Sequence, residues 1–227
     1  AQAFEERITV STERQERDDV LRQLFKGELK SSVDDPVAIQ GELRSKLMKA
    51  GQPAFIPETF GGFKESVELV LELGGIPAYP TLADGTDPVT EFEADPQTLI
   101  GNIKSRGLHA AEFIPVRNKP DILETYVTKL RAEGILVTAG TEHNTLDLLP
   151  IEPMCKGPAE IPKAAKDIFW EGACVCAAHQ FLTLHGETGF VDSMGKPNAN
   201  YDSPGERIKD FARLGAAVIE RYRSSAN

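Results

Sequence analysis

The residues of this chain best suited to chemistry fall in three short clusters. The densest is Gly140-Thr141-Glu142-His143-Asn144-Thr145, where a carboxylate, an imidazole and an amide occupy three consecutive positions. Hard oxygen and borderline nitrogen donors of this kind suit a divalent cation. They also suit a structural job, with Glu142 and Asn144 capping the following turn and His143 making an ordinary hydrogen bond. In a regular strand His143 points away from the side shared by Glu142 and Asn144, so it joins them around one ion only by a shift of register. The second cluster is Arg117-Asn118. Arg117 offers a two-pronged fork to an anionic group, and Asn118 either binds beside it or caps the helix that opens at Pro120. The third is Tyr79-Pro80 with Asp84. Tyr79 either sets a phenol at the mouth of a site or packs as an ordinary aromatic. Glu112 faces inward or outward, and the residues leave both open.

Other chemical residues read as structural. His179 and His185 are six apart, so they do not share a helix face as ligands at i and i+4 would. The spacing of Cys174 and Cys176 matches no common zinc knuckle, and the small-residue run Gly172–Ala178 around them reads as a close-packing surface. No Gly-rich phosphate loop and no Gly-x-Ser-x-Gly elbow occurs. That argues against nucleotidyl and serine-hydrolase mechanisms.

The elements that position the three clusters repeat one design. An amphipathic helix over Phe63–Leu73, with Val67, Val70, Leu71 and Leu73 inward, stops at Gly74-Gly75. A strand over Ile76–Leu82 follows and runs into the turn-rich stretch 83–88. Asp95 and Pro96 then open a helix that ends near Gly107. The unit recurs as a strand over Ala110–Val116, a loop at Arg117-Asn118, a helix over Pro120–Glu133 closed by Gly134, and a third strand over Ile135–Ala139. Strands alternating with helices of this length imply right-handed crossovers and a parallel sheet, hence an α/β fold. In such folds ligands bind at the carboxyl ends of the strands, where all three clusters fall. Beyond a Pro- and Gly-rich loop, a helix is predicted around Lys163–His185. A last helix opens with the capping box Ser203-Pro204-Gly205-Glu206 and carries Ile208, Phe211, Ala212, Gly215, Ile219 and Tyr222 on one face.

Residues 1–50 are charge-dense and read as a helical peripheral segment, with Val20, Leu21, Leu24 and Phe25, then Val37, Ile39, Leu43 and Leu47, at helical spacing. Asp35-Pro36 marks the start of the second helix. Residues 51–227 are expected to form one larger α/β domain with a C-terminal helical extension. The 227 residues are 41% hydrophobic and 26% charged, enough for a sizeable core. A net charge of -10 argues against nucleic acid, whose binders need a basic face. No apolar run approaches the roughly 18 to 20 residues that cross a bilayer. Three cysteines, two of them two residues apart, fit a reducing compartment, so a cytoplasmic protein is expected. The start Ala-Gln-Ala has no initiator Met and no signal pattern, which reads as a processed end or, in preference, a cut within a longer chain.

Three runs together resemble the polymerase-and-histidinol-phosphatase (PHP) family: Gly74-Gly75-Ile76-Pro77-Ala78-Tyr79-Pro80, Phe113-Ile114-Pro115-Val116-Arg117-Asn118, and Gly140-Thr141-Glu142-His143-Asn144. The similarity covers roughly residues 52–150. It implies a distorted (β/α)7 barrel, here its C-terminal part, that holds divalent metals (Zn, Mn or Fe) and hydrolyses phosphoesters. The family's Gly-Ser-Asp-x-His motif aligns with Gly140–Asn144, so Glu142 stands for its Asp ligand and Asn144 for its His ligand. Its Ala-His-Pro motif aligns with Ala78-Tyr79-Pro80, so a tyrosine replaces a metal-binding His. Its opening His-x-His has no counterpart in these residues, which suggests an N-terminal barrel half outside this sequence. Metal bound by this chain alone is therefore expected to be weak or absent.

The resemblance makes Glu142 and Asn144 the expected metal residues, with His143 joining them only by a shift of register, and Glu142 and Arg117 the catalytic ones; Arg117, Asn118 and Tyr79 are the expected contacts to a small phosphorylated or anionic substrate. The expected activity is metal-dependent phosphoester hydrolysis with a degenerate site. Two alternatives stand beside it: a ligand-binding barrel without turnover, and a sugar isomerase or epimerase in which Glu142 is the proton-transfer base.

Overall fold

The structure, a computed structural model, describes residues 14–57, 61–141 and 150–225. They divide into two compact units, residues 14–57 and residues 61–141 with 150–225.

The first unit is a small helical assembly. Helix α1 (Arg14–Leu24) is followed by α2 (Pro36–Leu43), which continues as a wider turn over Arg44–Met48. Asp35 caps α2 by accepting from the Ala38 N–H at 3.0 Å, with Pro36 at the first helical position. Leu21, Phe25, Ile39 and Leu43 form its core. Val20 and Leu24 lie outside it and are exposed. Glu42 ties the link between the helices down, accepting from the backbone N–H groups of Lys30 (2.9 Å) and Ser31 (2.8 Å) and pairing with Lys46 at 2.7 Å. Burial pushes this carboxyl up, but the Lys46 ammonium and the two amides outweigh it and hold it down at about 2.

The second unit is built on three strands, β1 (Ala78–Thr81), β2 (Ala110–Phe113) and β3 (Leu136–Ala139), paired in parallel in the order β1-β2-β3. Helix α3 (Phe63–Glu72) precedes β1, α4 (Pro96–Ser105) joins β1 to β2, and α5 (Pro120–Ala132) joins β2 to β3. The start signals hold for α4, where Asp95 Oδ1 accepts from the N–H groups of Gln97 and Thr98. Gly107 and Gly134, with φ of 69° and 75°, end α4 and α5 in the left-handed conformation that glycine adopts without strain. Helices α6 (Lys163–Leu184) and α7 (Pro204–Ser225) complete the unit.

Strand alternation sends side chains to two cores. Ala111, Phe113 and Val137 pack with Leu99 and Ile103 of α4 and Leu123, Val127 and Leu130 of α5. Ala110 and Leu136 pack with Val175 and Ala178 of α6, with Ile208 and Phe211 of α7, and with Phe190. Helix α6 serves both, giving Ala165 and Phe169 to the first core. Between these contributions Gly172 sits so close to β3 that a Cβ there would meet the Val137 carbonyl oxygen at 2.1 Å. The fold is thus α/β with a small parallel sheet covered on both faces; the described strands form no barrel.

Several expectations are corrected in detail. The first strand is shorter than Ile76–Leu82, and the second stops at Phe113 because Pro115–Arg117 turns into a single 3₁₀ turn. Leu73 is 78% exposed, since it caps α3 rather than continuing its inward stripe. Tyr222 is 64% exposed, on the last turns of α7. No helix among the described residues is long and apolar enough to cross a membrane.

Candidate functional site

The parallel order brings the ends of β1, β2 and β3 to one side of the sheet, so the segments 82–84, 114–118 and 140–141 are neighbours there. At the β1 end the organising group is Glu93, which the sequence reading passed over. It is 1% exposed and accepts from the Tyr79 hydroxyl at 2.8 Å and from the Leu82 N–H at 3.0 Å, and also from the Ala83 N–H. Its own carbonyl accepts from the Tyr126 hydroxyl at 2.7 Å. Three donors converge on this carboxylate, which meets the cost of burying it. They also hold Ala83 at a φ of 44°, a left-handed conformation that alanine adopts only when its surroundings enforce it.

Tyr79 is therefore committed to the fold. Its ring stacks on Phe92 with centroids 4.8 Å apart, and its hydroxyl is spent on Glu93. Burial, then the Glu93 carboxylate, pushes the phenol above its ordinary range. Asn118 is likewise structural. It is fully buried, and its Nδ2 donates to the Leu82 carbonyl at 2.7 Å and to Asp84 Oδ1 at 3.0 Å. The capping position of α5 belongs to Lys119, not to Asn118, because the chain straightens at Asn118 to make these bonds across to the β1 loop. Asp84 also accepts from the Lys119 N–H at 3.2 Å. Asp84 and Asn118 thus lock the β1 loop to the β2 loop, and Glu93 ties the β1 loop to α5 through Tyr126. Arg117 closes the turn Pro115–Arg117 half-buried, with its Cβ 3.1 Å from the point where a Cβ on Gly85 would stand.

The β2 and β3 ends are different. Glu112 lies in register with Pro80 and Thr138 and, by alternation from Ala110, faces α6 and α7. Its carboxylate crosses the backbone at Gly140, where a Cβ would meet Oε1 at 2.0 Å. Glu112 makes no hydrogen bond to another described residue. Its charge reaches the Cys176 thiol of α6, which desolvation and then Glu112 push above the ordinary thiol range. The signal that finds Glu112 in the sequence is the alternation itself: Ala111 and Phe113 take the core beneath α4 and α5, so Ala110 and Glu112 must share the other side.

Glu142, His143 and Asn144, the expected metal residues, lie outside the described residues, which end on this side at Thr141. Among the described residues no three His, Cys, Asp or Glu side chains gather closely enough to hold a metal ion. Glu112 is the carboxylate at the sheet end with oxygens not already bonded to a described residue, and it is one donor, not a set. His179 is a structural residue, as expected: its Nδ1 accepts from the Phe190 N–H at 2.9 Å and its Nε2 meets the Gly74 carbonyl at 3.1 Å. His185 bonds within its own helix, to the Phe181 carbonyl. Cys155, Cys174 and Cys176 are free thiols. No protein-family model matches the chain, and no curated protein or solved structure does either.

Proposed function

We propose that the carboxyl end of the sheet is a phosphoester-hydrolysing site of the PHP type, with β1–β3 as strands of a distorted (β/α)7 barrel. The observation that supports this reading is the Glu112 carboxylate, laid across Gly140 at the strand end that leads to Glu142. In it Glu142, His143 and Asn144 hold a divalent cation of the Zn, Mn or Fe class, with Glu112 as a further oxygen donor. The cation, when bound, supplies an activated hydroxide and offsets charge on the phosphoryl oxygens. Arg117 orients the phosphoryl group through its guanidinium fork. The substrate is a small phosphorylated molecule, and the compartment is cytoplasmic, which three free thiols suit.

One observation favours a second reading, a site that binds such a ligand without turning it over. Tyr79 stands where the resembling family has a metal-binding histidine, and its hydroxyl is bound to Glu93.

Elemental analysis of the chain purified without chelator, with phosphate release from a generic phosphoester, separates the two. Near-stoichiometric metal and turnover that both fall in Glu112→Gln and Glu142→Gln support hydrolysis. Saturable ligand binding with no metal and no turnover supports the second reading and ends the first.

A further inference from the structure

A cleft of about 640 Å3 opens beside the end of β3, between that strand and α6. Thr138 and Cys176 lie at its strand end, and its walls include Trp170, Phe169, Ile151 and Ile161. Its size is that of a single small-ligand site, and it sits where ligands bind parallel sheets. Trp170, the only tryptophan in the chain, is 57% exposed on this wall. The indole thus presents a flat apolar face to the cleft, on which a planar ring can stack. The charged groups at the rim, Lys166 and Glu152, are paired with each other at 3.0 Å, so they offer no net charge to an occupant. The walls therefore suit a neutral, flat, apolar group rather than a polyol or an amine. At its strand end the cleft adjoins the Glu112 position, since Glu112 is the register partner of Thr138, which lines it.

We propose that this cleft takes the planar ring of an aryl or heterocyclic phosphoester, stacked on Trp170, with the ester end directed at the carboxyl end of β3. The inference rests on the hydrolase reading for the ester and stands on the cleft for the ring.

A single tryptophan gives a single indole N–H signal in a 1H–15N spectrum. The full chain is titrated with 1-naphthyl phosphate and, separately, with glycerol 2-phosphate, both in EDTA, and phosphate release is followed in metal-supplemented samples. The expected result is a saturable shift of the indole signal with naphthyl phosphate and none with glycerol phosphate. By calorimetry, Trp170→Phe retains binding, while Trp170→Ala and the cleft-filling Ala173→Phe each weaken it about tenfold or more, the scale of a lost ring stack. An indole shift equal for the two esters, or no saturable shift, overturns the proposal, as does full binding by Ala173→Phe with unchanged spectral dispersion. Naphthyl phosphate that binds but releases no phosphate leaves the cleft and sinks the hydrolase reading. Release without an indole shift sinks the cleft and leaves the hydrolase.

Discussion

The Glu112 carboxylate and the Cα of Gly140 are in such close contact that residue 140 has no room for a side chain: a Cβ there would stand 2.0 Å from Glu112 Oε1 and 2.9 Å from Cδ. The obstructing atoms are the end of a flexible side chain, so Gly140→Ala moves Glu112 rather than the sheet. The variant is expected to lower the unfolding midpoint by no more than about 4 °C, equivalent to about 1 kcal/mol in a chain of this size. Phosphoester turnover is expected to fall at least about tenfold, which corresponds to 1.4 kcal/mol of transition-state binding. Turnover that survives intact alongside a displaced Glu112 rules that carboxylate out of the reaction.

Helices α6 and α7 touch backbone to backbone at Gly215, where a Cβ would come within 1.7 Å of the Cys174 carbonyl oxygen. Neither atom can swing aside, so Gly215→Ala must separate the helices and loosen the core formed by Val175, Ala178, Ile208 and Phe211. The expected cost is about 3 kcal/mol or more. Urea unfolding measures it; a midpoint equal to that of the parent chain would show that the helices do not meet there.

His179 makes the second unit acid-sensitive. Its Nδ1 accepts from the Phe190 N–H, so the proton sits on Nε2 and points at the Gly74 carbonyl. Burial pushes the imidazole below its ordinary pKa, against a smaller opposing effect of the Gly74 bond. With the folded value depressed, the unfolded chain takes up the proton first. The stability contribution is complete above the ordinary value of about 6.5 and is lost as pH falls through it toward the folded value. Urea midpoints at pH 8 and pH 5 are expected to differ in the parent chain, and the difference is expected to shrink in His179→Gln. An unchanged difference would place the acid sensitivity elsewhere.

Arg207 is 1% exposed, and its Nε and Nη1 find no hydrogen-bond partner among the described residues. Its guanidinium lies 4.1 Å over the Phe190 ring, and burial lowers its pKa to about 10, so it remains charged at neutral pH. The ring recovers part of the desolvation cost. Arg207→Met keeps the length and removes the charge, and is expected to leave stability unchanged or raise it by about 1 to 2 kcal/mol. Thermal unfolding at low and high salt checks this; a clear loss would mean that the Phe190 contact outweighs the desolvation of Arg207.

The local elements were readable because each rests on neighbouring residues. Asp35-Pro36 and Asp95-Pro96 start helices, Gly107 and Gly134 end them, and the alternation of helix and strand from residue 76 onward requires parallel pairing. Even the role of Gly172 as a close-packing position follows from its size, although its small neighbours Ala173 and Cys176 are exposed. The roles of the polar residues at the strand ends were not readable in the same way. Tyr79 and Asn118 have the types and positions of ligand contacts, yet Glu93, fourteen residues from Tyr79, takes the phenol, and Leu82 and Asp84, more than thirty residues from Asn118, take the amide. Which groups meet is decided by how β1 and β2 and their loops come together, and buried polar groups are bound to whichever partner that packing supplies. Sequence by itself determined the succession of helices and strands and their parallel pairing, because caps, glycines and periodicity act over a few residues. Only the tertiary structure decided that Tyr79 and Asn118 brace the fold while Glu112 lies across Gly140, because those contacts join residues far apart in the chain.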